Sequence, residues 1–281
     1  MSEWFANGQS IDTVDIRDRA VQYGDGLFET IAIRDSLPRF WPLHVARLQL
    51  GCHRLGITAT DDAKLAADLD KALHQCTIDT THCTAKIVVT AGSGQRGYRR
   101  SGAAKASVWV GVFDSRRIPA STYKDGIDVR LCHLRLAEQP QLAGLKTLNR
   151  LEQVMACAEW DDTDIFEGLM LDAADRLICG TMSNVFIVSA NALKTPAITR
   201  CGVAGIMRQH LLAIIVDAGI DCEVADISVD EALAADEIFL TNSQFGVLPV
   251  RRCGQYAWSK YPVSRRIMEL AAQNSVPECR I

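Results

Sequence analysis

The segment with the greatest bearing on the fold reads Leu142-Ala143-Gly144-Leu145-Lys146-Thr147-Leu148-Asn149-Arg150-Leu151-Glu152, near the middle of the 281-residue chain. Its single lysine, Lys146, stands among apolar residues, where a surface lysine is out of place. Desolvation disfavours a buried ammonium, and the neutral amine is a nucleophile. Lys146 is therefore a candidate for a Schiff base with an aldehyde such as pyridoxal phosphate. The alternative is a lysine stem that lies along apolar surface with its ammonium in water.

The composition is that of an ordinary globular protein with one large or two modest domains. Hydrophobic residues make up 48% and charged residues 23% of the chain, and the net charge is -4. This charge predicts no general affinity for nucleic acid or for an anionic membrane. The N-terminus has no basic region before an apolar core, and no apolar run is long enough to span a bilayer. We therefore expect neither a secretory signal nor a membrane partner.

The ten cysteines are scattered and form no Cys-x-x-Cys pair. Two of them, Cys132 and Cys157, lie in apolar periodic segments, where cysteine acts as a small hydrophobic residue. This usage favours a reducing compartment, the cytoplasm, over a disulfide framework. His74, Cys76, His82 and Cys83 lie close together in the sequence, but their spacing matches no common zinc site. We therefore expect no metal site.

The hydrophobic pattern predicts a mixture of helices and strands without a strict βαβ rhythm. Helices are expected from about residue 44 and over 61–76, 149–160, 206–218 and 263–273, with a short helix at the capping box 228–231. Strands are expected over 27–33, 84–91, 106–113, 127–134, 168–171, 184–188 and 237–240.

These elements predict a mixed α/β (α+β) fold of two domains. The stretch 116–126 lacks periodicity and carries turn residues, which indicates a linker. We expect an N-terminal α/β domain at 1–117, an interdomain linker at 118–126 and a C-terminal cofactor-binding domain at 127–281.

A glycine pattern at Gly92, Gly94 and Gly97 matches the dinucleotide-binding fingerprint and follows a predicted strand. That fingerprint needs a helix directly after its glycines, with the helix N-terminus aimed at a pyrophosphate. Here Tyr98-Arg99-Arg100-Ser101-Gly102 follows, and then another strand. The pattern therefore does not predict a nucleotide site.

A better anion site is predicted where glycines precede a strong helix, in Thr199-Arg200-Cys201-Gly202-Val203-Ala204-Gly205-Ile206-Met207-Arg208. Free N–H groups and the positive end of a helix favour a phosphate there. Further donors follow a predicted strand at Thr241-Asn242-Ser243, and Arg47 adds a charge. The alternatives are an ordinary loop-to-helix junction, a turn and a surface arginine.

A third polar run enters a predicted strand, in Arg176-Leu177-Ile178-Cys179-Gly180-Thr181-Met182-Ser183-Asn184-Val185-Phe186-Ile187. Small residues are expected where the backbone approaches a flat ligand closely. A hairpin turn is the alternative interpretation.

Taken in order, these segments resemble the fold-type IV pyridoxal-phosphate enzymes, which include branched-chain and D-amino-acid aminotransferases and aminodeoxychorismate lyases. The resemblance covers nearly the whole chain, and it includes the N-terminal run 18–30, Asp-Arg-Ala-Val-Gln-Tyr-Gly-Asp-Gly-Leu-Phe-Glu-Thr. It implies a D-amino-acid aminotransferase-like fold, with a smaller N-terminal α/β domain and a larger barrel-like C-terminal domain. Because such enzymes are commonly dimers, it also implies a homodimer.

The resemblance implies pyridoxal 5'-phosphate as the cofactor and Lys146 as its Schiff-base lysine. Asn184 is implied to lie near the cofactor ring. The implied phosphate-binding residues are Arg47, Gly205, Ile206, Thr241 and Asn242.

One position departs from the family pattern, because Cys179 stands where members usually carry glutamate. In the family that carboxylate pairs with the pyridine nitrogen and keeps it protonated. A thiol has no fixed charge at neutral pH and is a weak partner. We hypothesise that the substitution lowers the protonation of the ring nitrogen, which disfavours transamination more than an elimination with an aromatic product.

Two segments, 92–98 and 147–153, look most like those of aminodeoxychorismate lyases. This likeness implies a lyase that forms 4-aminobenzoate and pyruvate, with Lys146 as general base and Thr30 as a helper. Arg96 is expected to bind a substrate carboxylate, with Tyr98 beside it. Two alternatives stay open: an aminotransferase for D- or branched-chain amino acids, and a non-catalytic pyridoxal-phosphate-binding protein.

Overall fold

The computed structural model describes residues 2–58, 60–100 and 105–280, so Ser101 and Gly102 of the rejected glycine pattern lie outside the described residues. The chain divides into two compact units. The first unit comprises Met1–Arg116 and Leu145–Asn149, and the second comprises Arg117–Gly144 and Arg150–Ile281. The expected boundary at residue 117 lies beside this division, but no pattern indicated that 145–149 belongs with the first unit.

An antiparallel sheet of six strands forms the first unit, in the order β2-β1-β6-β5-β3-β4. The strands are β1 (Ser2–Ala6), β2 (Gln9–Ser10), β3 (Gly26–Arg34), β4 (Leu37–Pro38), β5 (His82–Thr90) and β6 (Ser107–Asp114). The helices are α1 (Arg19–Tyr23), α2 (Trp41–Leu55) and α3 (Asp62–Gln75).

The core of the first unit lies between this sheet and its two longer helices. Alternate residues of β3 point to this core because successive side chains of a strand face opposite sides. The core includes Leu27, Ile31 and Ile33 of β3, Leu48 and Cys52 of α2, and Leu65 and Leu69 of α3. The opposite face of β3 therefore carries Phe28 and Thr30.

A sheet of ten strands forms the second unit, in the order β12-β11-β10-β14-β15-β7-β8-β9-β13, with β16 paired to β15. The strands are β7 (Ile127–Leu136), β8 (Ile165–Asp172), β9 (Arg176–Gly180), β10 (Asn184–Ser189), β11 (Ala192–Pro196), β12 (Cys222–Ala225), β13 (Ile227–Ser228), β14 (Glu237–Asn242), β15 (Gly246–Cys253) and β16 (Tyr256–Ala257). The helices are α4 (Ala120–Asp125), α5 (Leu151–Cys157), α6 (Ile206–Asp217), α7 (Val229–Leu233) and α8 (Pro262–Gln273), and a 3-10 turn covers Pro277–Cys279.

The larger sheet is nearly closed, because β9 also contacts β10 and β11 from the other end of the strand order. This curvature gives the barrel-like form that the resemblance implied. The mixed α/β fold class is thereby confirmed.

Several short elements were not expected, namely α1, β1, β2, β4, β9, β11, β12, β13 and β16. Three further differences have a local cause. The stretch 118–126 contains α4, which is anchored by the buried Tyr123, whose hydroxyl donates to the carbonyl of Phe245 at 3.0 Å. The helix expected over 149–160 ends at Cys157, because the Glu159 carboxylate accepts from the amides of β7 instead. Strand β15 was missed because Pro249 interrupts its pattern.

Candidate active site

Lys146 lies on a short segment that pairs with the start of β3. The amide of Phe28 donates to the carbonyl of Lys146 at 2.9 Å, and the amide of Leu148 donates to the carbonyl of Gly26 at 3.0 Å. A Cβ at Gly26 would lie 2.6 Å from the carbonyl oxygen of Val89 and 2.7 Å from a methyl of Leu148, so this close approach requires glycine. Hydrogen bonds to a strand therefore hold the backbone around Lys146.

The side chain of Lys146 lies over an aromatic ring of that strand. Its Nζ is 4.3 Å from the ring centroid of Phe28. The ammonium of Lys86, on β5, is 4.6 Å from the same centroid. We call Phe28 and these two lysines the Lys146 cluster. Lys146 is half-buried, so the expected desolvation of its amine is partial.

Thr30 occupies the same face of β3 as Phe28, since the two residues are two positions apart. It is half-buried and pairs in register with Lys86. The structure thus brings Thr30 to the face that carries the Lys146 cluster. Its role as a catalytic helper stays a prediction.

Arg47 of α2 is held by a buried carboxylate that the sequence analysis did not identify. Its Nε donates to Glu29 Oε1 at 2.8 Å, and its Nη2 donates to Oε2. The Nδ1 of His44 lies 2.6 Å from the same Oε2. Burial alone would raise the pKa of Glu29, but Arg47 and His44 hold it below its ordinary value. The guanidinium of Arg47 is therefore oriented by a carboxylate within its own unit.

His44 is the second residue of this group that was not foreseen. Burial lowers its pKa below the ordinary value although the Glu29 carboxylate opposes this shift. Burial favours the neutral imidazole. A neutral imidazole can donate to Glu29 only when its proton is on Nδ1. Its Nε2 is buried and has no hydrogen-bond partner among the described residues.

In the second unit, three of the residues expected around a phosphate lie together with Asn184, which was expected near the cofactor ring. Asn184 of β10 pairs in register with Thr241 of β14. A Cβ at Gly205, the N-cap of α6, would lie 2.0 Å from Asn184 Oδ1, so only glycine fits beside this amide. Ile206 begins α6 directly after it. We call Asn184, Thr241, Gly205 and Ile206 the α6 cluster.

The α6 cluster offers hydrogen-bond donors to an anion. No side chain caps the N-terminus of α6, so the amides of its first turn have no capping partner. The hydroxyl of Thr241 is buried and lacks a hydrogen-bond partner within the described part of the chain. Asn184 instead donates its Nδ2 to the carbonyl of Val203 at 2.9 Å, which fixes the loop before the helix. These donors fit a phosphate group.

Asn242 has a structural role in the turn after β14. Its Oδ1 accepts from the amides of Gln244 at 2.9 Å and Phe245 at 3.0 Å. This pattern is typical of an asparagine that stabilises a turn. Its side-chain oxygen is therefore engaged within the turn.

Cys179 is buried in β9, where it pairs with Met170 of β8. Burial raises the pKa of its thiol well above the ordinary range, so the thiol is neutral. The half-buried guanidinium of Arg150, whose own pKa is lowered by burial, acts on this thiol electrostatically. A neutral thiol thus stands where the resemblance implies a carboxylate.

A buried glutamate of β8, Glu167, organises the turn that follows Cys179. Its carboxylate accepts from the amide of Thr181 at 3.0 Å, from the amide of Met182 at 3.2 Å and from Ser183 Oγ at 2.9 Å. A Cβ at Gly180 would approach this carboxylate to 2.9 Å, so glycine is required there. Burial raises the pKa of Glu167, and these hydrogen bonds oppose the rise.

The two expected substrate-binding residues, Arg96 and Tyr98, lie at the exposed surface of the first unit. Tyr98 is 88% exposed, and its ring contacts the ring of Tyr23. The loop backbone is held by Arg19, which donates to the carbonyls of Gly97 and Tyr98 at 2.9 and 3.0 Å. Substrate binding by Arg96 and Tyr98 stays a prediction.

The described residues also bear on metal binding and on membrane spans. No group of three or more His, Cys, Asp or Glu side chains there is arranged to hold a metal ion. No helix in the described ranges is both long and apolar enough to cross a membrane.

The first unit holds Lys146 beside β3, and the second unit presents uncapped amides and the Thr241 hydroxyl at the start of α6. The family model for amino-transferase class IV matches residues 26–253. The chain therefore belongs to the amino-transferase class IV family.

Relatives within this family include both lyases and aminotransferases. The chain is 34% identical over 247 residues to an aminodeoxychorismate lyase of Vibrio harveyi, which covers 88% of this chain and 90% of that one. It is 27% identical over 270 residues to a D-alanine aminotransferase of Bacillus licheniformis, covering 94% and 92%. The crystal structure of a 4-amino-4-deoxychorismate lyase from Pseudomonas aeruginosa matches with a TM-score of 0.91 and 39% identity, covering 97% and 99%.

Glu29, His44 and Glu167 were not predicted from the sequence. A signal was available for the two glutamates, since each is a lone acidic residue inside an apolar strand pattern, at 27–33 and at 165–171. Such a residue, when buried, is normally paired or hydrogen-bonded. His44 carried no comparable signal, because only the packing of α2 on β3 brings it to Glu29.

Proposed function

We propose that this chain is a pyridoxal-phosphate-dependent lyase that converts 4-amino-4-deoxychorismate to 4-aminobenzoate and pyruvate. The observation that carries the proposal is the amine of Lys146, which a strand-paired backbone holds over the ring of Phe28. The likeness to two aminodeoxychorismate lyases at 34% and 39% identity, over most of both chains, supports this choice of substrate.

The donors of the second unit support pyridoxal 5'-phosphate as the cofactor. Thr241 contributes a buried hydroxyl without a partner among the described residues, and Gly205 and Ile206 contribute the uncapped start of α6. We propose that these residues and Arg47 bind the phosphate, with Asn242 shaping the turn beside Thr241. When bound, the cofactor supplies an aldehyde that amines attack and a ring that accepts electrons.

The remaining chemistry is assigned to residues of the chain. Lys146 Nζ, once displaced by the substrate amine, takes the proton from the amine-bearing carbon of the substrate. The enolpyruvyl group then leaves with the electrons of its C–O bond, and the ring becomes aromatic. Lys146 returns the proton to the methylene carbon of the departing fragment, which becomes pyruvate, and Thr30 assists this transfer.

Residues around the ring and the substrate complete the proposal. We assign Asn184 and the neutral thiol of Cys179 to the surroundings of the cofactor ring, and Arg96 and Tyr98 to the substrate. The neutral thiol supports the lyase over the aminotransferase, since an elimination that yields an aromatic product depends less on a protonated ring nitrogen.

The second candidate is an aminotransferase, favoured by the 27% identity to a D-alanine aminotransferase over 94% of this chain. It uses the same lysine and the same donors for the cofactor. A third candidate, a pyridoxal-phosphate-binding protein without catalysis, is motivated only by Cys179.

We also propose that the protein is a cytoplasmic homodimer. The free state of all ten cysteines supports a reducing compartment. The homodimer rests on the family resemblance.

A fluorescence assay for 4-aminobenzoate separates these candidates. Product without an added keto acid supports the lyase, whereas amino transfer that depends on a keto acid supports the aminotransferase. A protein that binds the cofactor and is inert to both treatments is a binder only. Borohydride trapping followed by peptide mapping is expected to label Lys146 in the wild type and not in Lys146→Ala. A Lys71→Ala variant, altered at an exposed lysine, serves as the control.

A further inference from the structure

The Lys146 cluster contains a second ammonium that the proposed reaction does not use. Lys86 Nζ lies 4.6 Å from the ring centroid of Phe28, and Lys146 Nζ lies 4.3 Å from it. Two amines therefore share one aromatic ring. If Lys146 reacts with the substrate beside the Phe28 ring, the ammonium of Lys86 is a cation close to that reaction.

The sheet register fixes which face of the sheet carries Lys86. In β5 it stands opposite Thr30 of β3 and opposite Gly111 of β6. Directly paired residues project their side chains to the same face of a sheet. Lys86, Thr30 and Phe28 therefore share the face that lies opposite Glu29 and α2.

Lys86 is a cation without an anionic partner in the described part of the chain. Its ammonium lies over the ring of Phe28, and no carboxylate of the described residues is within ion-pair distance of it. The side chain is half-buried, and this burial lowers its pKa. A partly desolvated ammonium binds a carboxylate more strongly than a fully hydrated one, because less water must be removed.

We propose that Lys86 binds a carboxylate of the substrate and sets its position relative to Lys146. The inference rests on the proposed function, in which the substrate is an amine that carries two carboxylates. Lys146 engages the amine end, and Lys86 engages a carboxylate on the same side of the sheet. A residue on a paired strand holds its charge more rigidly than Arg96, which lies in an exposed loop.

The test compares Lys86→Met, which keeps the stem and removes the charge, with Lys86→Arg, which keeps the charge. Lys71→Met, at an exposed lysine of α3, is the matched control. For Lys86→Met we expect KM for 4-amino-4-deoxychorismate to rise about tenfold or more, with kcat changed much less. Lys86→Arg should recover most of the affinity, and Lys71→Met should match the wild type.

A calorimetric titration with chorismate measures the same contact without turnover. Chorismate keeps both carboxylates and carries a hydroxyl in place of the amine, so it cannot react with the cofactor aldehyde as an amine does. We expect its Kd to rise about tenfold or more in Lys86→Met and to change little in Lys71→Met.

The outcomes separate this inference from the proposed function. If the wild type forms no 4-aminobenzoate, the proposed function fails, and the chorismate titration still decides the role of Lys86. Equal Kd values for the wild type and Lys86→Met overturn that role, as does an absence of chorismate binding to the wild type. A loss confined to kcat, or to thermal stability, also overturns it.

Discussion

Glu29 is a buried carboxylate that binds Arg47 and His44, and this group determines how the first unit responds to acid. Removing one partner of such a buried group leaves the other charge uncompensated. The pKa of Glu29 lies below its ordinary value and the pKa of His44 lies below its own. In the folded chain, Glu29 and His44 therefore take up protons only at a lower pH than they would in the unfolded chain.

The first prediction concerns His44 and pH. Since its pKa is lowered in the folded chain, the unfolded chain takes up a proton at a higher pH than the folded chain does. Below the ordinary histidine pKa of about 6.5, this difference destabilises the fold. We expect the free energy of unfolding to decrease between about pH 7 and pH 5, and His44→Gln to show a smaller decrease.

Urea denaturation at a series of pH values measures this dependence. His53→Gln, at an exposed histidine of the same helix, is the control and should follow the wild type. Parallel curves for His44→Gln and the wild type would contradict the assignment of this pH dependence to His44.

In the proposed function Cys179 is assigned to the surroundings of the cofactor ring, where its charge should affect how strongly the ring withdraws electrons. Its thiol is buried and neutral, so it offers the ring nitrogen no negative charge. We expect Cys179→Glu to raise amino transfer from D- or branched-chain amino acids about tenfold, which corresponds to about 1.4 kcal/mol in the barrier. Cys179→Gln should give no such gain, because glutamine has the size of glutamate but no charge. Unchanged activity towards amino acids in Cys179→Glu would count against the role of this position.

At the scale of elements, the segment 145–149 is anchored by one apolar side chain. Leu145 is 1% exposed and lies in the core of the first unit, next in sequence to Lys146. We expect Leu145→Ala to lower the free energy of unfolding by about 2–5 kcal/mol, through lost burial and the cavity left behind. Leu151→Ala, at a leucine that is 76% exposed, is the control. Equal denaturation midpoints for the two variants would show that Leu145 does not anchor the segment.

The N-terminus of α6 depends on a glycine. A Cβ at Gly205 would lie 2.0 Å from Asn184 Oδ1, a distance that requires Asn184 or the helix start to move. We expect Gly205→Ala to weaken pyridoxal-phosphate binding about tenfold or more, measured by absorbance titration of the apo-protein. Gly94→Ala should bind as the wild type does, because a Cβ there would lie 3.8 Å from the Arg19 side chain. If both variants bind equally well, the α6 cluster does not hold the phosphate.

The long elements could be predicted because their apolar residues recur over several turns or alternate along a strand. The helices α2, α3, α6 and α8 and the strand β3 agree with their expected positions to within a few residues. The helix α4 has only six residues, too few for a periodic signal, and its position depends on the buried Tyr123. Strand β15 contains Pro249 and two exposed arginines, which obscure its alternation.

The candidate site was predictable only where a residue type was conspicuous in its local sequence. Lys146 stood out in an apolar run, and Gly205 stood out before a helix. The contact of Arg47 with Glu29 and the position of Lys86 beside Phe28 depend on how strands and helices pack. Contacts between residues distant in sequence leave no local pattern to detect.

At the scale of the whole molecule, the fold of each unit follows from where its apolar surface is buried. The first unit buries one face of a six-stranded sheet against α2 and α3. The second unit curves ten strands until the two ends of the sheet come together. The sequence pattern indicated a boundary near residue 117, but it did not indicate that the chain re-enters the first unit at residue 145.

The return of the chain to the first unit at Leu145–Asn149 affects which recombinants of such proteins can fold. A crossover at residue 116 transfers the six-stranded sheet as one continuous piece of gene, but Lys146 then comes from the recipient. The hybrid must then match a foreign β3 to five inherited residues, Leu145–Asn149. Successful chimaeras are therefore expected to need the five-residue insert and the sheet to come from the same parent.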